Sequence, residues 1–106
     1  MYPRIEPVPT LSFAVRYLHT SAGIVLTASH NPAVYNGYKV YNDNGGQITD
    51  EAATEISANI ARVNPFDVKI MDFDAGLAQG LIEWTSEEVL DNFIAAIKRV
   101  SVPGFK

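Results

Sequence analysis

The chain has 106 residues, a net charge of −4 and no cysteine. Twelve acids stand against eight Lys and Arg with no basic cluster, which excludes an electrostatic nucleic-acid surface, and the lack of cysteine excludes a disulfide framework and thiolate metal sites. Its 47% hydrophobic and 19% charged residues are those of a globular chain, and no apolar run reaches the length of a membrane span.

In chain order, Pro3, Pro7 and Pro9 predict an extended or turning entry without a signal-peptide core, more like an interior linker than a domain start. Thr10 is a candidate N-cap for a helix over 11–20, where Leu11, Ala14, Val15 and Leu18 recur at helical spacing and Gly23 is placed to end it or the turn behind it. Gly23–Ala28 is short, apolar and partly β-branched, as a buried strand is. Ser29-His30-Asn31-Pro32 stops it, and Asn36-Gly37 predicts another turn before a strand at Tyr38–Tyr41. The run 42–46 is a loop. Thr49 caps a second helix whose Ala52, Ile56, Ile60 and Val63 share one face, ended by Asn64-Pro65. Residues 66–80 show no period, and Leu81–Trp84 reads as a short strand. Thr85 and Glu88 have the spacing of a capping box ahead of the stripe Val89, Leu90, Phe93, Ile97 and Val100, with Lys98 and Arg99 at the favourable C-terminal end and Val102-Pro103-Gly104 as the stop. This order predicts an α/β fold, a partial three-layer α/β/α domain with a mixed sheet; the tight connection from Ser29 to Tyr38 argues against a purely parallel one.

The chemistry concentrates in Thr27-Ala28-Ser29-His30-Asn31-Pro32. A serine at the end of a strand lies where α/β proteins place ligand sites, and its hydroxyl can act as nucleophile or phosphate carrier. His30 and Asn31 flank it with hydrogen-bonding groups, Pro32 stiffens the loop, and Lys39 on the next strand can return a positive charge toward it. Elsewhere the plainer readings win. His19 is a polar helix residue, Arg16 a helix-surface charge, Gly45-Gly46 a turn, and Asp72 with Asp74 a solvated loop. Tyr35, Tyr38 and Tyr41 are expected in sheet packing.

The hexapeptide at 27–32, followed by Asn36-Gly37-Tyr38-Lys39 and preceded by Leu11-Ser12-Phe13-Ala14-Val15-Arg16 and Ala22-Gly23-Ile24, resembles the phosphoserine loop region of the α-D-phosphohexomutases, the phosphoglucomutase and phosphomannomutase family. Tyr35–Tyr41 with Gly45-Gly46-Gln47 is most similar to its bacterial α-phosphoglucomutase branch. The resemblance covers residues 8–60 well and 61–100 more loosely. It implies that 1–64 is the latter part of the first domain and 65–106 a connecting segment and helix leading toward the second. It implies that Ser29 is phosphorylated at rest, donates its phosphoryl group to a sugar monophosphate through a bisphosphate intermediate, and contacts Mg²⁺ through its phosphate. Lys39 would aid proton transfer or stabilise charge, and Thr27, Ala28, His30, Asn31 and Pro32 would form the active-site loop. Glucose 1,6-bisphosphate would be the activator, a hexose phosphate the substrate, and the location cytoplasmic.

The family's Asp-Gly-Asp-x-Asp-Arg metal loop does not occur here; Asp72-Phe73-Asp74 lacks its glycine and its final Asp-Arg. The sugar-selecting loop, the terminal phosphate loop and the Thr-Ser-Gly-x-Arg segment are also missing. Pro9-Thr10 joins Leu11 directly, where the family usually has Pro-Thr-Pro and one more residue. The chain therefore reads as a mutase fragment, inactive alone, whose partners are the remaining domains of the enzyme. Self-association through open sheet edges is expected. The competing readings are a phosphomannomutase-type parent, a half-enzyme completed by another chain, and a non-catalytic phosphate-binding or interaction module.

Overall fold

In the computed structural model, residues 1–102 and 104 are described. The elements in chain order are α1 (Val8–Tyr17), β1 (Ala22–Leu26), β2 (Tyr38–Asn42), α2 (Asp50–Ile60), a 3-10 turn (Pro65–Asp67), α3 (Phe73–Ala78) and α4 (Glu87–Val100). They group into two compact units, Tyr2–Gln47 with Thr85–Lys106, and Met1 with Ile48–Trp84.

In the first unit, the prolines do not delay the first helix; they start it. Pro7 is the N-cap residue and Pro9 lies in the first turn, where a missing N–H costs nothing because those donors have no intrahelical acceptor. Thr10 is therefore inside α1, buried, with its hydroxyl donating to Pro7 O at 2.7 Å. The helix also ends earlier than expected, at Leu18. His19 takes the left-handed position (φ 53°), with Thr20 N donating to Val15 O and His19 N to Arg16 O. This is the Schellman ending usually given to glycine, so His19 is a helix stop rather than a helix residue. Gly23 is freed for another task within β1. A Cβ there would come within 2.6 Å of Val15 Cγ2 and 3.2 Å of Leu11 Cδ1, so the bare backbone is what lets α1 lie flat on the strand.

β1 and β2 are antiparallel, in register from Ala22 opposite Asn42 to Leu26 opposite Tyr38. This sheet of two strands is antiparallel and covered by α1, an arrangement consistent with part of an α/β/α domain. Directly opposed residues share a face, so Gly23, Val25, Lys39 and Tyr41 lie on the side of α1. Ile24, Leu26, Tyr38 and Val40 lie on the other. There Ile24 is 63% and Leu26 74% exposed, so β1 is buried on one face instead of both. Among the described residues the largest fully buried side chains are Thr10 and Val15 on α1 and Val89 on α4, two helices that pack together. Burying a valine contributes about 1.5–3 kcal/mol. Phe13 links the same helices, stacked on Tyr17 and edge-on to Phe93, while Val100 at the far end of α4 stays exposed.

The cap of α4 is Ser86, one residue later than the Thr85 box predicts, and its side chain makes no capping bond. Arg4 instead grips the first helical residue, donating from both terminal nitrogens to Glu87 at 2.6 and 2.8 Å and from Nε to Glu6 at 2.8 Å. Lys98 and Arg99 occupy the last turn as expected; Pro103 lies outside the described residues.

In the second unit, Thr49 caps α2 as predicted, its hydroxyl accepting Ala52 N–H at 3.3 Å with Asp50 and Glu51 in the first turn. α2 ends at Ala61, and Asn64 then caps the 3-10 turn. Residues 66–80, aperiodic in sequence, contain α3. Asp72 accepts Ala75 N–H at 3.0 Å, so it is a helix cap instead of a loop acid. Gly76 hides this helix from propensity, yet a Cβ there would meet Ile82 Cδ1 at 2.6 Å. Leu81–Trp84 is not a strand. Leu81 N and Ile82 N donate to Gly76 O, and Gly80 N to Leu77 O with φ 69°, a glycine Schellman ending that turns the chain back over α3.

Candidate functional site

The site is the loop between the two strands. Leu26 opposite Tyr38 is the last register pair, and one further bond, Thr27 N to Gly37 O at 2.9 Å, closes the loop's base. A Cβ on Gly37 would stand 3.5 Å from Thr27 O, so the two backbones are in close contact. Above that base the chain makes two successive turns, Asn31 N to Ala28 O at 3.0 Å and Tyr35 N to Pro32 O at 2.9 Å. The second turn therefore spans Pro32–Tyr35. Asn36-Gly37, expected to be the turn, runs into β2, with Gly37 N–H donating to Asn36 Oδ1 at 3.0 Å.

Ser29 stands at the tip of the first turn with φ 56°. Among the described residues only His19 shares this left-handed backbone outside glycine, and His19 is explained by the end of α1. A left-handed non-glycine residue costs on the order of 1–3 kcal/mol and persists where its surroundings hold it. Ser29 N–H donates to Thr27 Oγ1 at 2.9 Å, and Ser29 Oγ lies 3.3 Å from His30 Nδ1. Thr27 and Ala28 are half-buried, while Ser29, His30, Asn31 and Pro32 are exposed. The hydroxyl is thus presented to solvent from a backbone fixed at its base. A reacting group could approach it without moving the sheet.

Lys39 is half-buried on β2, opposite Val25 and on the face toward α1. The fold thus brings together the six loop residues and sets Lys39 one register pair inside the loop's base, two residues past Gly37. The sequence reading missed two supports. One is the Gly37 carbonyl at the base of the loop. The other is Ser12 on α1, whose hydroxyl donates to Gly45 O at 2.6 Å and ties down the turn after β2. Gly45 itself has φ 80°, and Gly46 N–H is held by the side-chain oxygens of Asn42 and Asn44, so this Gly-Gly pair is a self-satisfied turn. Among the described residues no group of three or more His, Asp or Glu could hold a metal ion, and no helix is long and apolar enough to cross a membrane.

Residues 1–65 match the family described as phosphoglucomutase/phosphomannomutase, alpha/beta/alpha domain I. A phosphoglucomutase of Staphylococcus saprophyticus is 44% identical over 94 residues, covering 88% of this chain and 17% of the relative. One from Staphylococcus haemolyticus is 46% identical over 97 residues, with 87% and 17% covered. A probable phosphomannomutase of Haemophilus influenzae is 47% identical over 66 residues, with 59% and 14% covered. The chain spans about a sixth of the length of the curated relatives it matches, 17% for the first two.

Proposed function

Because the chain belongs to the phosphoglucomutase/phosphomannomutase family, we propose that Ser29 is the phosphoryl carrier of a phosphosugar mutase that interconverts glucose 1-phosphate and glucose 6-phosphate. The observation that carries this reading is the exposed Ser29 hydroxyl, fixed at φ 56° on the turn between β1 and β2, inside the segment that matches the family. Phosphoryl transfer asks a protein mainly for positioning and charge neutralisation, and a rigid tip with a lysine on the next strand supplies the elements of both.

In the proposed cycle a free sugar hydroxyl attacks the phosphorus on Ser29. The new O–P bond forms as the bond to Ser29 Oγ breaks, and the proton leaving the sugar is restored to Ser29. The second half is the reverse, with Ser29 Oγ attacking the other phosphate of the bound bisphosphate. No proton is consumed overall. Lys39 offsets the phosphoserine charge of about −1.5 to −2 or relays the proton. His30, Asn31 and Pro32 shape the loop, with Thr27 and Ala28 at its root.

Mg²⁺ does not fit the acidic residues of this chain, which form no such cluster among the described residues. In the complete enzyme the Ser29 phosphate would supply one ligand and other domains the rest. Those domains are the proposed partners, glucose 1,6-bisphosphate the activator, and the cytoplasm the setting. Residues 65–106 would lead on toward the next domain.

Single-turnover chemistry tests the proposal. Incubated with glucose 1,6-bisphosphate and Mg²⁺, the chain is expected to release up to one equivalent of glucose monophosphate. It should show no sustained interconversion of the two monophosphates. Release of none would overturn the carrier role, and sustained turnover would overturn the need for other domains. The 47% identity to a probable phosphomannomutase favours mannose 1,6-bisphosphate as the second donor to try. A non-catalytic phosphate-binding module predicts bisphosphate binding without release.

A further inference from the structure

We propose that Thr27 is the positioning residue for Ser29, its hydroxyl holding the serine backbone in the left-handed conformation that aims the phosphoryl-accepting oxygen; this rests on the carrier role proposed above. Ser29 occupies the second position of the turn closed by Asn31 N and Ala28 O, and a positive φ there is what glycine or asparagine normally supplies. A phosphoryl carrier cannot be glycine, so the strain must be offset locally. The bond from Ser29 N–H to Thr27 Oγ1 at 2.9 Å does this.

Thr27 is suited to the task by its own anchoring. Its N–H donates to Gly37 O at 2.9 Å, and the next pair down, Leu26 with Tyr38, belongs to the sheet register. It is half-buried, and as a β-branched residue it has a restricted χ1. Thr27 is therefore the last residue fixed by the sheet, and its hydroxyl carries that rigidity across Ala28 to Ser29. The same bond occupies the N–H of the exposed Ser29, whose Oγ lies 3.3 Å from His30 Nδ1.

The test compares Thr27→Val, which keeps shape and loses the hydroxyl, with Thr27→Ser, which keeps the hydroxyl. Two readouts are taken on the whole chain: hydrogen exchange of the Ser29 amide by NMR, and the rate of Ser29 phosphorylation from glucose 1,6-bisphosphate by mass spectrometry. Thr27→Val is expected to lose Ser29 amide protection and to slow phosphorylation at least tenfold, since misplacement by roughly 1 Å can cost about 10² in rate. The β1 amides should stay protected, which separates positioning from unfolding. Thr27→Ser should keep both readouts near the parent. Retained protection in Thr27→Val, an unchanged rate, or loss of both in Thr27→Ser would each overturn the proposal. If the parent chain takes no phosphoryl group, the carrier role falls, and the amide readout still decides what Thr27 does.

Discussion

At the residue scale, the two left-handed non-glycine positions separate packing from chemistry. His19 performs a helix ending that glycine does better, so His19→Gly should raise unfolding free energy by about 1 kcal/mol, the left-handed penalty less glycine's entropy. Gly45 is the opposite case. With φ 80° and Ser12 O 2.6 Å from where a Cβ would stand, Gly45→Ala should lower stability by about 1–3 kcal/mol. Denaturant titration reads both. Equal effects of the same sign would contradict the distinction. Ser29 resembles His19 in backbone but ends no helix; its N–H is held instead by Thr27 Oγ1 at 2.9 Å. The break in the strand at Ser29-His30-Asn31-Pro32 was legible in sequence, whereas the positive φ of Ser29 was not. Serine is uncommon there, and the compensating bond comes from a side chain two residues earlier.

At the element scale, a helix start is legible where its cap bond is local and less so where a distant side chain holds the first helical residue. Thr49 and α2 followed the sequence because the cap bond lies within four residues. α4 did not start at Thr85, and its first residue is held by Arg4, 83 positions away. α3 was missed because Gly76 was selected by Ile82, not by helix propensity. The antiparallel pairing was legible in the short connection between the strands, and the one-sided burial of β1 was not, because apolar residues occur on both of its faces.

The Arg4 clamp carries a pH prediction. Hydrogen bonding from the guanidinium holds the Glu87 carboxyl below the ordinary glutamate range, and raises Arg4 in turn. A depressed carboxyl stabilises above its unfolded value, roughly 4.3, and the contribution is lost as pH falls through the folded value. The protection factors of the residue 2–6 amides, exchange rates corrected for the intrinsic rate at each pH, should therefore fall on acidification below that value, and Glu87→Gln should lower them at neutral pH and flatten that dependence. Protection factors in the parent that do not change with pH would contradict the clamp.

At the scale of the whole molecule, Ile24, Leu26 and Tyr38 present an apolar sheet face, and two strands leave open edges. Concentration-dependent association is the expected result, and Ile24→Thr with Leu26→Thr should reduce it in sedimentation velocity. A parent that stays monomeric at high concentration would contradict this. The chain spans 17% of the first relatives it matches, and its candidate site consists of Ser29 on the loop between β1 and β2 with Lys39 half-buried on β2. The central claim is that Ser29 carries the phosphoryl group. It is tested most directly by intact mass and peptide mapping of the chain before and after incubation with glucose 1,6-bisphosphate and Mg²⁺. One added phosphoryl group, mapped to Ser29 and absent in Ser29→Ala, is the predicted result; no addition, or addition at another residue, would contradict it.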